Sequence, residues 1–213
     1  MKKITIKQIF ERLEARNPKP QTELIFNSPF QLLVAVILSA QTTDKAVNKV
    51  THKLFKIAPC ASSLARLPVE KVERIISGIG LFKKKAQFIV ETSDLLIKRH
   101  GGDLPASREE LEKLPGVGQK TAGVVLNIVF QQNEIAVDTH VFRVSTRLGL
   151  ADTRNIKKLE SQLNTIVPNR YKLNAHNLLL LHGRYICKAK SPSCSSCFLK
   201  DLCNFGKRRL MIN

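Results

Sequence analysis

The chain has 213 residues, of which 43% are hydrophobic and 24% charged, enough to bury a core in one domain or two small ones. Its 35 basic residues against 17 acidic ones give a net charge of +18, which argues against a basic partner and makes a polyanion the expected one, nucleic acid first and a membrane surface second. The apolar runs at 32–38 and 178–181 are too short to span a bilayer, and the amino terminus lacks a signal-peptide plan, so a cytosolic protein is expected.

Residues 4–16 carry Ile6, Ile9, Phe10 and Leu13 at helical spacing, an amphipathic helix ended by Pro18 and Pro20. Ser28-Pro29 supplies an N-cap and a proline at the first helical position. Residues 30–40 are apolar on nearly every face and read as a core helix. The loop Ser39-Ala40-Gln41-Thr42-Thr43-Asp44 follows, and Thr42 or Thr43 can cap a helix over 44–57. Cys60, alone after Pro59, reads as a buried or half-buried residue. Pro68-Val69 opens another helix that stops at Gly78-Ile79-Gly80. Leu81 alone reads as core. Lys83-Lys84-Lys85, beside that glycine turn, suits phosphate contacts and equally a solvated face. A helix over 85–100 closes at Gly101-Gly102.

Ser107-Arg108-Glu109-Glu110 reads as a capping box opening a short helix through Lys113. Leu114-Pro115-Gly116-Val117-Gly118-Gln119-Lys120-Thr121-Ala122 then turns the chain into an almost wholly apolar helix over 121–130. Gly116 and Gly118 let the backbone turn tightly, and amides at the start of the second helix lack intrahelical partners. Such a hairpin is an anion site, and in a basic protein the expected anion is a phosphate. A nucleotide-binding P-loop is excluded, because Gln119 rather than glycine precedes Lys120 and the upstream segment reads as helix, not strand. A polar turn at 131–134 leads to Ile135-Ala136-Val137. Asp138 then stands where an N-cap belongs, before a helix over 139–148. Helices over 155–166 and 171–186, broken by Pro168, complete the pattern, and with no alternating strands or repeats the fold class is all-α.

Four of the five cysteines fall within seventeen residues as Cys187-x6-Cys194-x2-Cys197-x5-Cys203. Without a signal peptide, that clustering argues for a metal centre over disulfides. Zinc ribbons commonly use two short Cys-x2-Cys knuckles and this tail has one. Four-iron clusters also take four cysteines, with other spacings in ferredoxins, so spacing leaves both metals open. The loop between Cys187 and Cys194 holds Lys188 and Lys190, and Lys207-Arg208-Arg209 adds charge at the end.

The Leu114–Ala122 hairpin looks like the helix-hairpin-helix of DNA repair glycosylases. With Val137-Asp138-Thr139-His140-Val141-Phe142-Arg143 and the cysteine tail, it resembles the endonuclease III family of bifunctional DNA glycosylases and abasic-site lyases over essentially the whole chain. The resemblance implies a two-lobed fold with a carboxy-terminal iron–sulfur cluster loop: a six-helix domain over 21–132, and a cluster domain from 1–20 plus 133–213. It implies a 4Fe–4S cluster on Cys187, Cys194, Cys197 and Cys203, and an active cleft with Lys120 from one lobe and Asp138 from the other. Lys120, whose ammonium form a helix N-terminus and surrounding cations disfavour, would attack C1′ of the sugar as a neutral amine. Asp138, an ionised N-cap, would help deprotonate it and stabilise positive charge on the sugar. Gln41 would fill the space left by the extruded nucleotide, Leu81 would wedge the opposite strand, and Lys83, Lys84, Gly116, Gly118, Lys188 and Lys190 would meet the backbone.

The substrate so implied is duplex DNA carrying an oxidised or ring-saturated pyrimidine or an abasic site, met by a cytoplasmic, nucleoid-associated monomer with no membrane. A monofunctional mismatch glycosylase is the nearest alternative, against which Lys120 and the short tail count. A non-catalytic helix-hairpin-helix DNA-binding protein is another. His140, two residues past Asp138, is read as structural, since no serine nucleophile motif accompanies it. Gln119, at a position often basic, and Gly123, where asparagine is common, depart from the family pattern.

Overall fold

A computed structural model describes the backbone of residues 3–210 and the side chains of 5–207, so the side chains of Arg208 and Arg209, expected to add charge, lie outside the described residues. Among the described residues there are helices and no strand. The chain divides into two compact units, Thr22–Phe130 and Met1–Gln21 with Gln131–Asn213.

The Thr22–Phe130 unit is built around α2 (Pro29–Leu38), where nine of the ten residues, Phe30 to Leu38, are buried. Ser28 starts it by accepting a hydrogen bond from the Gln31 amide at 3.2 Å, with Pro29 in the first turn as the sequence predicts. Thr43, not Thr42, caps α3 (Asp44–Ile57), accepting from the Ala46 amide. A single turn, α4 (Ala61–Ala65), is too short to show a period and was not foreseen, and α6 (Phe82–His100) begins three residues before the predicted start. Between them lies α5 (Val69–Ile76), packed with α4 against α6. The short α7 (Arg108–Glu112) opens on Ser107, whose side chain accepts from the Glu110 amide. It packs on α8 (Gln119–Phe130), which in turn lies against α2.

In the other unit, α1 (Lys3–Arg16) turns Ile6, Ile9, Phe10 and Leu13 into a core shared with α9 (Thr139–Leu148), α10 (Ile156–Ile166) and α11 (Asn169–Tyr185). Phe10 stacks on the fully buried Tyr171 ring, centroids 5.7 Å apart. The most extensive packing in this unit is of α9 on α11, and Gly183 lies within it. A Cβ there would meet the His140 Cβ and a Val144 methyl at 3.0 Å, so a larger residue would push these neighbours back by a few tenths of an ångström. A last helix, α12 (Asn204–Leu210), packs against α9 beyond the cysteines.

Candidate functional site

The hairpin joins α7 to α8. Gly116 has φ of +77°, and a Cβ there would meet Phe88 at 2.9 Å and Ile37 at 3.1 Å, so glycine is required twice over. Gly118 differs from the expectation of two equivalent turn glycines: a Cβ would meet nothing within 4 Å, and its φ is not left-handed. The protein leaves space at Gly118 that a backbone-hugging ligand can use. Buried Thr92 fixes the hairpin from α6 by donating to the Pro115 carbonyl at 2.8 Å. Arg108 donates to the Gln119 carbonyl at 3.3 Å. Because α8 begins at Gln119 rather than Thr121, Lys120 lies in its first turn, and it is exposed. Gly123 is buried within the same helix.

Gln41 and Leu81 share an uncommon feature, left-handed φ values of 54° and 58° in residues that carry a Cβ. Strained backbone of this kind concentrates at functional sites. Gln41 is exposed, and Leu81 keeps 61% of its surface in solvent, which corrects the reading of Leu81 as core. Lys83 and Lys84 are exposed, and Lys84 stands over the Phe88 ring at 5.5 Å, the ring that also abuts Gly116.

Lys85 is the exception in the lysine run. It is 4% exposed and donates to the Leu38 carbonyl at 2.9 Å, the Ala40 carbonyl at 2.7 Å and the Thr42 hydroxyl at 2.9 Å. Burial pushes its pKa down. The expectation of a phosphate contact fails for this one lysine. The signal that could have found it is helical phase: Lys85, Ile89, Thr92 and Leu96 fall on the buried face of α6. Cys60 is also corrected. It is exposed, at the N-cap of α4, with its sulfur 3.1 and 3.3 Å from the Ser62 and Ser63 hydroxyls, whose hydrogen bonds lower its pKa to about 7.

In the other unit, Asp138 caps α9 by accepting from the Val141 amide at 2.8 Å. The strand-like run before it is anchored by buried His176, whose Nδ1 lies 2.7 Å from the Ala136 carbonyl oxygen. His140, as expected, is structural in its contacts: its Nδ1 lies 3.1 Å from Arg143, and its Cβ packs on Gly183.

Cys187, Cys194, Cys197 and Cys203 line one pocket. Burial first, and neighbouring cysteines after it, raise the pKa of Cys197 and Cys203, so a cationic centre is what would hold these sulfurs as thiolates. Among the described residues no three Cys, His, Asp or Glu converge tightly enough for a single metal ion. Four thiols ranged around a space suit a multi-iron cluster, in which each thiolate meets its own iron. The surroundings supply sulfur hydrogen bonds. Arg147 approaches the Cys187 sulfur at 3.4 Å and donates to the Lys188 and Ala189 carbonyls at 2.7 and 3.1 Å, with its guanidinium 4.4 Å from the Phe205 ring centroid. Arg143 donates to the Cys187 carbonyl at 3.0 Å, and the Gly206 amide donates to the Cys203 sulfur at 3.3 Å. His182, pushed down to about 4 by burial, is neutral at pH 7, with Nε2 3.8 Å from the Cys197 sulfur. Lys188 and Lys190 stay exposed on the loop that Arg147 holds.

The helical hairpin, the capped aspartate and the cysteine pocket define a class. Residues 34–169 match the HhH-GPD superfamily of base excision DNA repair proteins, and 187–203 match the iron–sulfur binding domain of endonuclease III. Endonuclease III of Haemophilus influenzae is 49% identical over 94% of this chain and 95% of its own length. Endonuclease III of Escherichia coli K12 is 47% identical over the same shares. A trapped endonuclease III–DNA covalent intermediate superposes with a TM-score of 0.93 at 42% identity, over 99% of both chains. The chain belongs to the endonuclease III family. It is a base-excision DNA glycosylase and lyase that binds DNA, and its cofactor is a 4Fe–4S cluster.

Proposed function

We propose that this enzyme removes oxidised or ring-saturated pyrimidines from duplex DNA and cuts the resulting abasic site through an imine on Lys120. The observation that carries the assignment is the position of Lys120, exposed in the first turn of α8 directly after a hairpin whose Gly116 cannot be replaced without strain. A lysine there acts at a sugar whose phosphates the hairpin amides hold.

In the reaction so read, the Lys120 amine forms a bond to C1′ while the bond from C1′ to the base breaks, and the base leaves with the bonding pair and takes up a proton. Opening of the sugar ring gives the imine. The imine acidifies the 2′ hydrogen, loss of that proton expels the 3′ phosphate by β-elimination, and water returns the free amine. Asp138 contributes an ionised carboxylate, a form its cap to the Val141 amide favours, against positive charge on the sugar.

Gln41 fills the vacated stack and Leu81 wedges the opposite strand, roles that suit their exposure and left-handed backbone. Lys83, Lys84, Lys188 and Lys190, with Gly116 and Gly118, meet phosphates. Cys187, Cys194, Cys197 and Cys203 hold the cluster, which closes a loop-rich tail that lacks a core of its own. The same reading implies a monomer acting at the nucleoid.

Borohydride trapping on a duplex with one abasic site tests it, wild type beside Lys120→Gln. A covalent adduct in the wild type alone is expected. No adduct in either, with DNA still bound, would overturn the lyase mechanism. An adduct in both would make another amine the nucleophile.

A further inference from the structure

Lys85 is spent on neither phosphate nor salt bridge. An ammonium group has three N–H donors, and all three find oxygen: the Leu38 and Ala40 carbonyls and the Thr42 hydroxyl, at 2.9, 2.7 and 2.9 Å. The carbonyls belong to the end of α2, where helix carbonyls lose their own partners and a cation is favoured by the dipole. Capping a helix would explain one such bond. It does not explain why the acceptors bracket a single exposed residue. Ala40 and Thr42 flank Gln41, which is held in a left-handed conformation that an L side chain resists by about 1–2 kcal/mol. Leu81, a second exposed residue with left-handed backbone, is the N-cap of α6, the helix that carries Lys85, and the Lys85 amide makes the ordinary first-turn bond to its carbonyl at 3.0 Å. The Lys85 side chain thus ties the loop of Gln41 to the first turn of the helix that Leu81 caps.

We infer that Lys85 is a positioning residue that holds Gln41 and Leu81 in fixed register, so that both enter the duplex in one step when the damaged nucleotide is extruded. The inference rests on the roles proposed above for Gln41 and Leu81. Lys85 touches no DNA. Its three neutral acceptors replace water around a buried charge, and releasing them would let the 39–43 loop relax from its strained shape.

The test uses the cluster-containing enzyme and a duplex with a tetrahydrofuran abasic analogue flanked by 2-aminopurine, whose fluorescence reports unstacking. Lys85→Met keeps length and apolar bulk but removes all three donors, and Thr42→Val removes one acceptor while leaving Lys85 in place. The expected result is a tenfold or greater slowing of the fluorescence phase for Lys85→Met and a smaller slowing for Thr42→Val. Affinity for undamaged duplex should stay within twofold, and amide exchange at 38–43 should be faster in the free enzyme.

The decisive measurement is the cycle with Gln41→Ala. If Lys85 acts through Gln41, adding Lys85→Met to Gln41→Ala slows extrusion little further; additive slowing would make Lys85 a general stabiliser and overturn the inference. Should Lys85→Met fail to fold, Thr42→Val in the Gln41→Ala background decides in the same way. If Gln41→Ala and Leu81→Ala slow extrusion while both Lys85→Met and Thr42→Val leave it and the exchange unchanged, Lys85 alone loses its role. If neither Gln41→Ala nor Leu81→Ala slows extrusion, their proposed roles fall, and the inference with them.

Discussion

At the scale of single residues, the hairpin glycines separate folding from binding. Gly116→Ala combines a left-handed alanine with a clash against Phe88 and Ile37, and should lower stability by about 1–3 kcal/mol in urea unfolding. Gly118→Ala meets open space, so its unfolding midpoint should stay near wild type while affinity for abasic duplex falls. Equal loss of stability in both variants would contradict this division. Asp138 allows a similar separation. Asparagine caps helices as well as aspartate does, so Asp138→Asn should keep stability and lose base-release activity, whereas Asp138→Ala should also lose about 1 kcal/mol of stability. Residue identity is the source of the roles proposed for Lys120, Asp138 and the cysteines, because each sits in a recognisable local pattern. It failed where identical residues part company in space. Lys83, Lys84 and Lys85 are alike in composition, yet only the third lies on the buried face of α6. Cys60 likewise looked like packing until the hydroxyls beside its sulfur showed an exposed cap.

At the scale of elements, long helices were legible because burial imposes a period on them: α3 and α9 run over the predicted residues, and α2, α10 and α11 differ by one or two at their ends. The starts of α6 and α8 were misread for a physical reason. Their first turns carry lysines and glutamine, which show no apolar period. Turns such as α4 are set by tertiary packing on α6, which one-dimensional patterns do not contain. The grip of α9 on the cysteine loop was also invisible, since Arg143 and Arg147 are one helical turn apart and could have been solvated. Instead they bond the carbonyls of Cys187, Lys188 and Ala189 and one cysteine sulfur. Hydrogen bonds to cluster sulfurs and exclusion of solvent tune such centres. Arg147→Met should therefore keep the helical circular dichroism but lose the visible iron–sulfur absorbance severalfold faster under ferricyanide. An unchanged rate would mean the arginine serves only the loop backbone. Gly183→Val, which drives methyls into His140 and Val144, should destabilise the same pair of helices by about 1–3 kcal/mol.

At the scale of the whole molecule, the charge of +18 acts before any specific contact. Each phosphate neutralised by a lysine or arginine releases counterions, so the logarithm of affinity falls with the logarithm of salt at a slope of about −0.9 per phosphate. If about 6–10 phosphates are met, affinity for undamaged duplex should fall by about 10³–10⁵ between 50 and 200 mM salt. Net charge alone does not predict that slope. Basic residues away from the backbone steer the approach at long range, while only those touching it count in the slope. Substitution therefore sorts the lysines. Lys84→Gln and Lys188→Gln should each weaken binding and reduce the slope by about one, because both are exposed beside elements expected at the backbone. Lys85→Met removes the same formal charge from a buried site and should leave the slope unchanged. Fluorescence anisotropy over a salt series measures all three. A slope lowered equally by all three would mean that charge acts without regard to position, and the phosphate contacts assigned to the exposed lysines would have to be sought elsewhere on the basic surface.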